Sequence, residues 1–253
     1  MASCFFLTRV VAVFLLCSLA ALGQWNKKPY TEWSEKDAMK LLSDSPWAQT
    51  HSFSDTSKAF NTARAQQTQS STVSTVITIN FRVRFLSSRP VRQAISRLQM
   101  VQAKDEMPAQ KAAYLKAFAE QPFPDFVVVA VTCDSDRGSD MLQQANETLR
   151  KMTTAELAGK TYLITNQGQR VYLKEYQAPR NDGFGARFIF PQLVEGKEIL
   201  APEAGEVVFH AEMGGGSELN SVVTSADTAH GYGFTLHTRY KIKDMMFGGK
   251  LEY

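Results

Sequence analysis

The segment 126–133, which reads FVVVAVTC, constrains the fold of this chain more than any other stretch. It contains four valines and a phenylalanine, carries no charge, and has acidic residues on either side. A short apolar run rich in β-branched residues favours a strand buried on both faces over a helix. Such a strand needs neighbours on both sides and a covering layer on each face, so we place the other predicted elements relative to it.

Residues 1–23 predict a secretory signal peptide. Arg9 precedes an apolar run over 10–22, and small residues stand just before Gln24. The run is short for a membrane span and has the form of a cleaved leader, although an uncleaved N-terminal anchor is the alternative. We therefore expect an exported protein that is periplasmic or secreted.

Cysteine content and charge limit the mature chain further. Cys4 and Cys17 lie in the predicted leader, so Cys133 remains alone and no intramolecular disulfide is expected. Loss of Arg9 reduces the formal net charge of +3 by one. A charge so near neutral argues against nucleic acid as a partner, and no pattern in the sequence predicts a cofactor.

Residues 24–53 form a tryptophan-rich N-terminal segment with one short predicted helix. Ser34 and Asp37 are spaced as a capping box, and the helix should end near Ser43 because a proline follows. All three tryptophans of the chain, Trp25, Trp33 and Trp47, fall here. They are candidate residues for contact with a partner protein or a membrane surface, since Trp favours half-wet sites. The alternative is that they pack this segment onto the domain.

Three stretches of the mature chain resemble one family. KPYTEWSEKDAMKLLSDSPWAQ at 28–49, DGFGARFIFP at 182–191 and KIKDMMFGGKLEY at 241–253 are similar to segments of a family of uncharacterised exported bacterial proteins. The likeness spans nearly all of the mature chain. It implies export and no particular activity, because that family has no assigned site residues.

Residues 54–75 predict a flexible linker, because this Ser-, Thr- and Gln-rich stretch cannot bury a core. Residues 76–253 then predict a single α+β domain. Its first strand, at 77–85, alternates apolar and polar residues with a period of two. Two helices follow before the valine-rich strand.

The centre of the domain predicts a βαβ-like unit in a mixed sheet. The strand at 126–133 is followed by a helix that Ser139 can cap and by a strand at 161–165, which favours parallel pairing of the two strands. The rest of the chain predicts C-terminal antiparallel strands. Gly248 and Gly249 permit a closing hairpin.

An acidic turn follows the valine-rich strand and supplies the candidate ligand-binding residues Asp134, Asp136 and Asp140. The carboxyl end of a central strand is a common ligand site in α/β proteins. The pattern departs from a calcium loop at Gly138 and Ala145, so no metal site is predicted. The alternative is a turn whose carboxylates favour the N-terminus of the next helix.

Nucleophilic and zinc chemistry have weak support in the sequence. Cys133 could act as a nucleophile with His210 or His237 as its base, but a lone cysteine closing an apolar strand is usually a small buried side chain. The four histidines are scattered without the spacing of zinc ligands.

Two hypotheses about function follow. The first is an exported, non-catalytic protein that binds a protein or an envelope component, with peripheral membrane contact as one form of that binding. The alternative is a hydrolase that uses the acidic turn at 134–140. Whether the protein is an enzyme is left open.

Overall fold

The computed structural model describes residues 25, 27–55, 77–103, 106–123, 125–136, 140–165, 168–201, 205–214 and 234–253. The predicted signal peptide at 1–23 lies outside these residues, as does the predicted linker apart from Ser54 and Asp55. Those two expectations therefore stay predictions. No helix among the described residues is both long and apolar enough to cross a membrane.

The described residues form five α-helices, and the first of them begins as the sequence predicts. Ser34 Oγ accepts the Asp37 N–H, and the Asp37 carboxylate accepts the Ser34 N–H, each at 3.1 Å. The capping box is thereby complete, and the helix ends at Ser43. The helices are α1 (Glu35–Ser43), α2 (Arg89–Ala103), α3 (Ala109–Glu120), α4 (Asp140–Lys151) and α5 (Thr154–Leu157).

Besides two 3₁₀ helices, Tyr30–Glu32 and Ile242–Asp244, the described stretches contain thirteen strands. In chain order they are β1 (Ala48–Asp55), β2 (Ile77–Phe85), β3 (Phe126–Ser135), β4 (Thr161–Thr165), β5 (Arg170–Tyr172), β6 (Glu175–Gln177), β7 (Ala186–Pro191), β8 (Leu193–Val194), β9 (Lys197–Glu198), β10 (Glu206–Met213), β11 (Phe234–Lys241), β12 (Met246–Phe247) and β13 (Lys250–Leu251).

The longer strands form two sheets. The first sheet has the order β1-β2-β3-β7-β6, and the second sheet has the order β11-β10-β4-β5. β8 pairs with β9, and β12 pairs with β13. Every one of these pairings is antiparallel. Helices and antiparallel sheets in one chain confirm the predicted α+β class, the C-terminal antiparallel strands and the closing hairpin.

The valine-rich strand lies where the sequence predicts. β3 is the third strand of the first sheet, between β2 and β7. Val127, Val129 and Val131 are completely buried, and Val128 on the other face is nearly so. Both faces of the strand are therefore covered, as its composition requires.

The predicted βαβ-like unit and mixed sheet are wrong. β3 and β4 belong to different sheets, and α4 carries the chain from one sheet to the other. In β4 the residues alternate between buried and half-buried, which is the pattern of a strand with one covered face in an antiparallel sheet. A parallel partner of β3 would be buried on both faces.

The two sheets pack face to face through aromatic side chains. The Tyr240 hydroxyl on β11 donates to the Val83 carbonyl oxygen on β2 at 2.8 Å, and burial raises the pKa of that hydroxyl. Four ring pairs join the sheets, with centroids 4.5, 4.9, 5.3 and 6.3 Å apart: Phe81 with Phe234, Phe85 with Tyr240, Phe188 with Phe209, and Phe190 with Phe209. The main core therefore lies between the sheets.

Helices cover the other face of the first sheet. Arg84, which points away from the second sheet, is buried and donates its Nε to the Leu42 carbonyl oxygen of α1 at 2.6 Å. At the start of α2, Ser87 Oγ accepts the Val128 N–H at 3.0 Å. The N-terminal segment thus shares its core with the later strands. Its strand β1 continues through Ser54 and Asp55, two residues into the predicted linker.

Candidate functional site

A cavity of about 510 Å³ opens beside the N-terminal end of α2 and is the candidate functional site. Its volume is within the usual range for small-molecule pockets. Its walls come from the start of α2, the chain after α3, the β7–β9 region and the C-terminal residues. The lining residues are Ser87, Arg89, Arg92, Glu120, Pro122, Phe123, Gln192, Glu198, Leu251, Glu252 and Tyr253. We call this cavity the α2 pocket.

The C-terminal residues close one side of the α2 pocket through Glu252. The Arg89 N–H donates to Glu252 Oε2 at 3.1 Å, and Arg89 Nε lies 3.3 Å from Oε1. A carboxylate at this place also interacts favourably with the positive end of the helix dipole. The Trp47 indole N–H donates to the Glu252 carbonyl oxygen at 2.8 Å. The end of the chain is thereby fixed to the start of α2 and to the N-terminal segment.

Arg92 is the most unusual group in the α2 pocket. The residue is only 3 % exposed, yet it forms no ion pair with a carboxylate of the described residues. Its Nε donates to the Phe118 carbonyl oxygen at 3.2 Å, its Nη1 donates to the Ser87 carbonyl oxygen, and its guanidinium lies 5.0 Å from the Phe123 ring centre. Burial lowers the pKa of Arg92 to about 10, against the opposing effect of Glu252 and Glu120. The side chain is therefore charged at neutral pH and poorly neutralised.

The α2 pocket also contains carboxylates. Glu198 lies there with Tyr253, whose pKa is raised by burial and, to a smaller extent, by Glu198. Glu120 accepts a hydrogen bond from Gln93 Nε2 at 2.8 Å. The pocket therefore combines a buried cation with carboxylates, and Pro122 and Phe123 add apolar surface.

The tryptophans predicted as partner-binding residues are all buried. Trp33 is 1 % exposed, Trp47 2 % and Trp25 5 %. Trp25 and Trp33 contact each other edge to face at 5.8 Å, and the Trp33 indole donates to the Lys28 carbonyl oxygen at 3.2 Å. These two rings also line a second cavity of about 360 Å³ with lysine and aspartate side chains. These contacts agree with the alternative that the tryptophans pack the N-terminal segment onto the rest of the domain.

The three candidate aspartates do not form a shared site. Asp134 makes an ion pair with Arg82 on the neighbouring strand. Asp136 is exposed and accepts a weak hydrogen bond from Ser135 Oγ at 3.4 Å, and Asp140 is an exposed residue in the first turn of α4. None of the three lines the α2 pocket. The geometry therefore gives no support to a hydrolase built on the acidic turn.

Cys133 has the surroundings of a structural thiol. Its Sγ donates to Asn146 Oδ1 at 3.3 Å, and neither His210 nor His237 contacts it. Burial raises the pKa of the thiol to about 11, although Arg150 acts in the opposite direction. A nucleophilic cysteine needs the thiolate, which this environment disfavours.

We expect Cys133 to react with a thiol reagent roughly 200-fold more slowly in the folded protein than in urea at pH 8. This ratio compares the thiolate fraction at a pKa of about 11 with that at about 8.5 for an unfolded cysteine. The absorbance of released thionitrobenzoate gives both rates in a chain without residues 1–23, where Cys133 is the single cysteine. A folded rate within tenfold of the unfolded one would contradict this description of the thiol.

The histidines are not all scattered, contrary to the expectation from spacing. His210 and His237 face each other across β10 and β11, and their Nδ1 atoms are 3.4 Å apart. They continue a cross-strand row of rings that begins with Tyr172 and Tyr162 on the outer face of the second sheet. The alternation in β10 and β11 indicates which residues face outward, but it does not give the register that pairs these two.

The sequence patterns also failed to identify the two arginines of the α2 pocket as candidate site residues. Arg89 and Arg92 occupy ordinary polar positions in an amphipathic helix, where arginine is usually solvated. Two acidic groups of the same pocket, Glu198 and Glu252, are over 100 residues further along the chain. No local pattern connects the two sets.

Comparison with known proteins identifies no relative. No protein-family model matches the chain, and neither a curated protein nor a solved structure matches it significantly. The likeness to exported bacterial proteins therefore stays a prediction, and function has to be inferred from the geometry of the chain itself.

Proposed function

We propose that the protein is an exported, non-catalytic binding protein whose α2 pocket takes a small zwitterionic ligand of the amino-acid or short-peptide class. Export rests on the sequence of residues 1–23, in which a short apolar run precedes small residues. The bound group is either a free amino acid or peptide, or the peptide part of an envelope component. Both present a carboxylate and an amine separated by a short backbone.

The observation that carries this proposal is the buried guanidinium of Arg92. A buried charge is costly unless a counter-charge or several hydrogen bonds compensate it. Two carbonyl oxygens compensate Arg92 in part, and a ligand carboxylate could complete the compensation through a charge-assisted hydrogen bond.

The carboxylates of the pocket support a cationic group on the ligand as well. Glu198 and Glu120 are exposed carboxylates at the pocket wall, whereas Glu252 is already paired with Arg89. A ligand with only an anionic group would be repelled by these carboxylates. A zwitterion with its carboxylate at Arg92 and its amine at a carboxylate of the pocket satisfies both charges, and Phe123 offers an apolar surface to its side chain.

We expect isothermal titration calorimetry to detect binding of L-amino acids or dipeptides, and to detect none when the amino terminus of the ligand is acetylated or its carboxylate is amidated. The Glu198→Gln variant should bind at least about tenfold more weakly, because a hydrogen bond to a charged group contributes about 1.5–3 kcal/mol. Glu175→Gln, an exposed glutamate on β6 away from the pocket, should bind like the unaltered protein.

Muropeptides with free ends, compared with free amino acids, distinguish the two sources of the ligand. Tighter binding of the muropeptides would place the ligand in the envelope. Arg92→Lys tests the other end of the pocket, because lysine keeps the charge but lacks the planar fork of arginine. If neither Glu198→Gln nor a folded Arg92→Lys variant changes the affinity, or if no zwitterion binds, the proposal is wrong.

A further inference from the structure

The histidine pair of the second sheet lies apart from the α2 pocket and has the geometry of a ligand set. His210 on β10 and His237 on β11 are direct cross-strand partners. Their strand neighbours Phe209 and Leu236 are buried between the sheets, so both imidazoles lie on the opposite, outer face. His237 is exposed and His210 is half-buried, which leaves the space between their Nδ1 atoms accessible from one side.

A carboxylate fixes the tautomer of His210. Its Nε2 lies 3.2 Å from Glu212 Oε1. Because an ionised carboxylate only accepts hydrogen bonds, Nε2 carries the proton and Nδ1 presents its lone pair. Metal-bound histidines commonly have this arrangement, in which the second ring nitrogen donates to a carboxylate that orients the ring and raises its basicity.

Aromatic stacking holds the His210 ring in place. The Tyr162 ring lies parallel to it with centroids 4.7 Å apart and an interplanar angle of 21°. Tyr162 is itself covered by the Arg170 guanidinium, 4.6 Å from its ring centre. The imidazole is thus oriented before any ligand arrives, which reduces the entropic cost of binding.

We propose that His210 and His237 together chelate one divalent transition-metal ion through their Nδ1 atoms, with Glu212 as the residue that positions His210. Two nitrogen ligands at 2.0–2.1 Å from a tetrahedral zinc ion are about 3.3 Å apart. The Nδ1 atoms are 3.4 Å apart without a metal, so their separation already matches that of two ligands of one ion.

Metal binding by the two histidines requires one proton to move, and none is lost from the rings. Without a metal, one Nδ1 must donate to the other, and the donor is His237 because Glu212 holds the proton of His210 on Nε2. On binding, His237 transfers its Nδ1 proton through water to its exposed Nε2, and both rings stay neutral.

The ligand set limits which metal fits. Among the described residues, no group of three or more His, Cys, Asp and Glu side chains gathers as a metal site. Water therefore completes the coordination shell of a two-histidine chelate. Imidazole nitrogen suits Cu²⁺, Ni²⁺ and Zn²⁺, with affinity highest for Cu²⁺, whereas Mg²⁺ and Ca²⁺ prefer oxygen ligands.

The test is calorimetric titration of the purified protein with ZnSO₄, NiCl₂ and MgCl₂ at pH 7.5. We expect one zinc or nickel ion per chain and no magnesium binding. His210→Ala and His237→Ala should each abolish this binding, and Glu212→Ala should weaken it about tenfold or more. Circular dichroism confirms that each variant is folded, and all three side chains lie on the outer sheet face, where truncation disturbs little packing.

His51→Ala is the matched control. His51 lies on β1, and its ring stacks on Phe53 with centroids 4.6 Å apart. Burial lowers the pKa of His51, and the nearby His237 adds to this effect. The variant should bind zinc as the unaltered protein does. Loss of binding in His51→Ala would overturn the two-histidine site in favour of another ligand set. Zinc affinity unchanged in the double variant of His210 and His237, or no binding of zinc or nickel at all, would overturn the proposal.

Discussion

Replacement of Trp47 by alanine is expected to lower the free energy of unfolding by about 3–5 kcal/mol, the range for large aromatic side chains in a core. Trp47 is 2 % exposed, and its ring meets Phe247 edge to face at 6.0 Å. The substitution leaves a cavity and also removes the hydrogen-bond donor to the Glu252 carbonyl oxygen. Urea denaturation followed by circular dichroism measures the loss.

Met39→Ala provides the comparison for this experiment. Met39 lies on α1 and is 51 % exposed, so its truncation should change the stability by no more than about 0.5 kcal/mol. A loss below about 1 kcal/mol for Trp47→Ala would contradict the packing role of the tryptophan and favour its predicted role in partner binding. Deletion of residues 24–50 cannot separate these roles, because it removes part of the core.

Local sequence patterns correctly predicted the elements whose start or pattern of burial can be read from consecutive residues. The unbroken apolar run in β3 indicated a strand covered on both faces, and the alternation in β2 indicated one with a polar face. The capping box at Ser34 indicated where α1 begins. In each case the residue pattern that gives the prediction lies within the predicted strand or helix itself, or directly beside it.

Pairing between distant strands could not be predicted in this way. β4 follows β3 and a helix, an order typical of parallel strands, yet β10 supplies its neighbour from some 45 residues further along. β1 was missed because its polar residues, such as Gln49 and Ser52, lie on an edge strand with no continuous apolar run. In both cases contacts with residues distant in the sequence determine whether the strand forms and which strand it pairs with.

The candidate sites were the least predictable features, because each depends on contacts between remote residues. Arg92 resembles a solvated helix residue, but contacts with Ser87, Phe118 and Phe123 bury it. His210 and His237 become a pair only through the register of β10 and β11. The predicted aspartates, by contrast, were adjacent in sequence and did not converge on one site.

Replacement of Gly185 by alanine is expected to destabilise the protein by about 2–5 kcal/mol. Gly185 has a φ of +85°, where a side chain costs about 1–2 kcal/mol. An added Cβ would also overlap the Val131 carbonyl oxygen and lie 2.6 Å from Thr132 Cγ2. Overpacking of this kind adds about 1–3 kcal/mol, because β3 and β7 must separate locally. Thermal and urea unfolding of the variant measure the sum.

Gly159→Ala separates the two contributions. Gly159 has a similar φ of +78°, but a Cβ there would meet no atom within 4 Å. Gly159→Ala should therefore lower the free energy of unfolding by only about 1–2 kcal/mol, the cost of a side chain at a positive φ. The excess for Gly185→Ala over Gly159→Ala then measures how closely β7 approaches β3 at the centre of the first sheet. If both variants lose the same free energy of unfolding, there is space for a methyl group beside Val131. That result would contradict the tight packing around this completely buried residue.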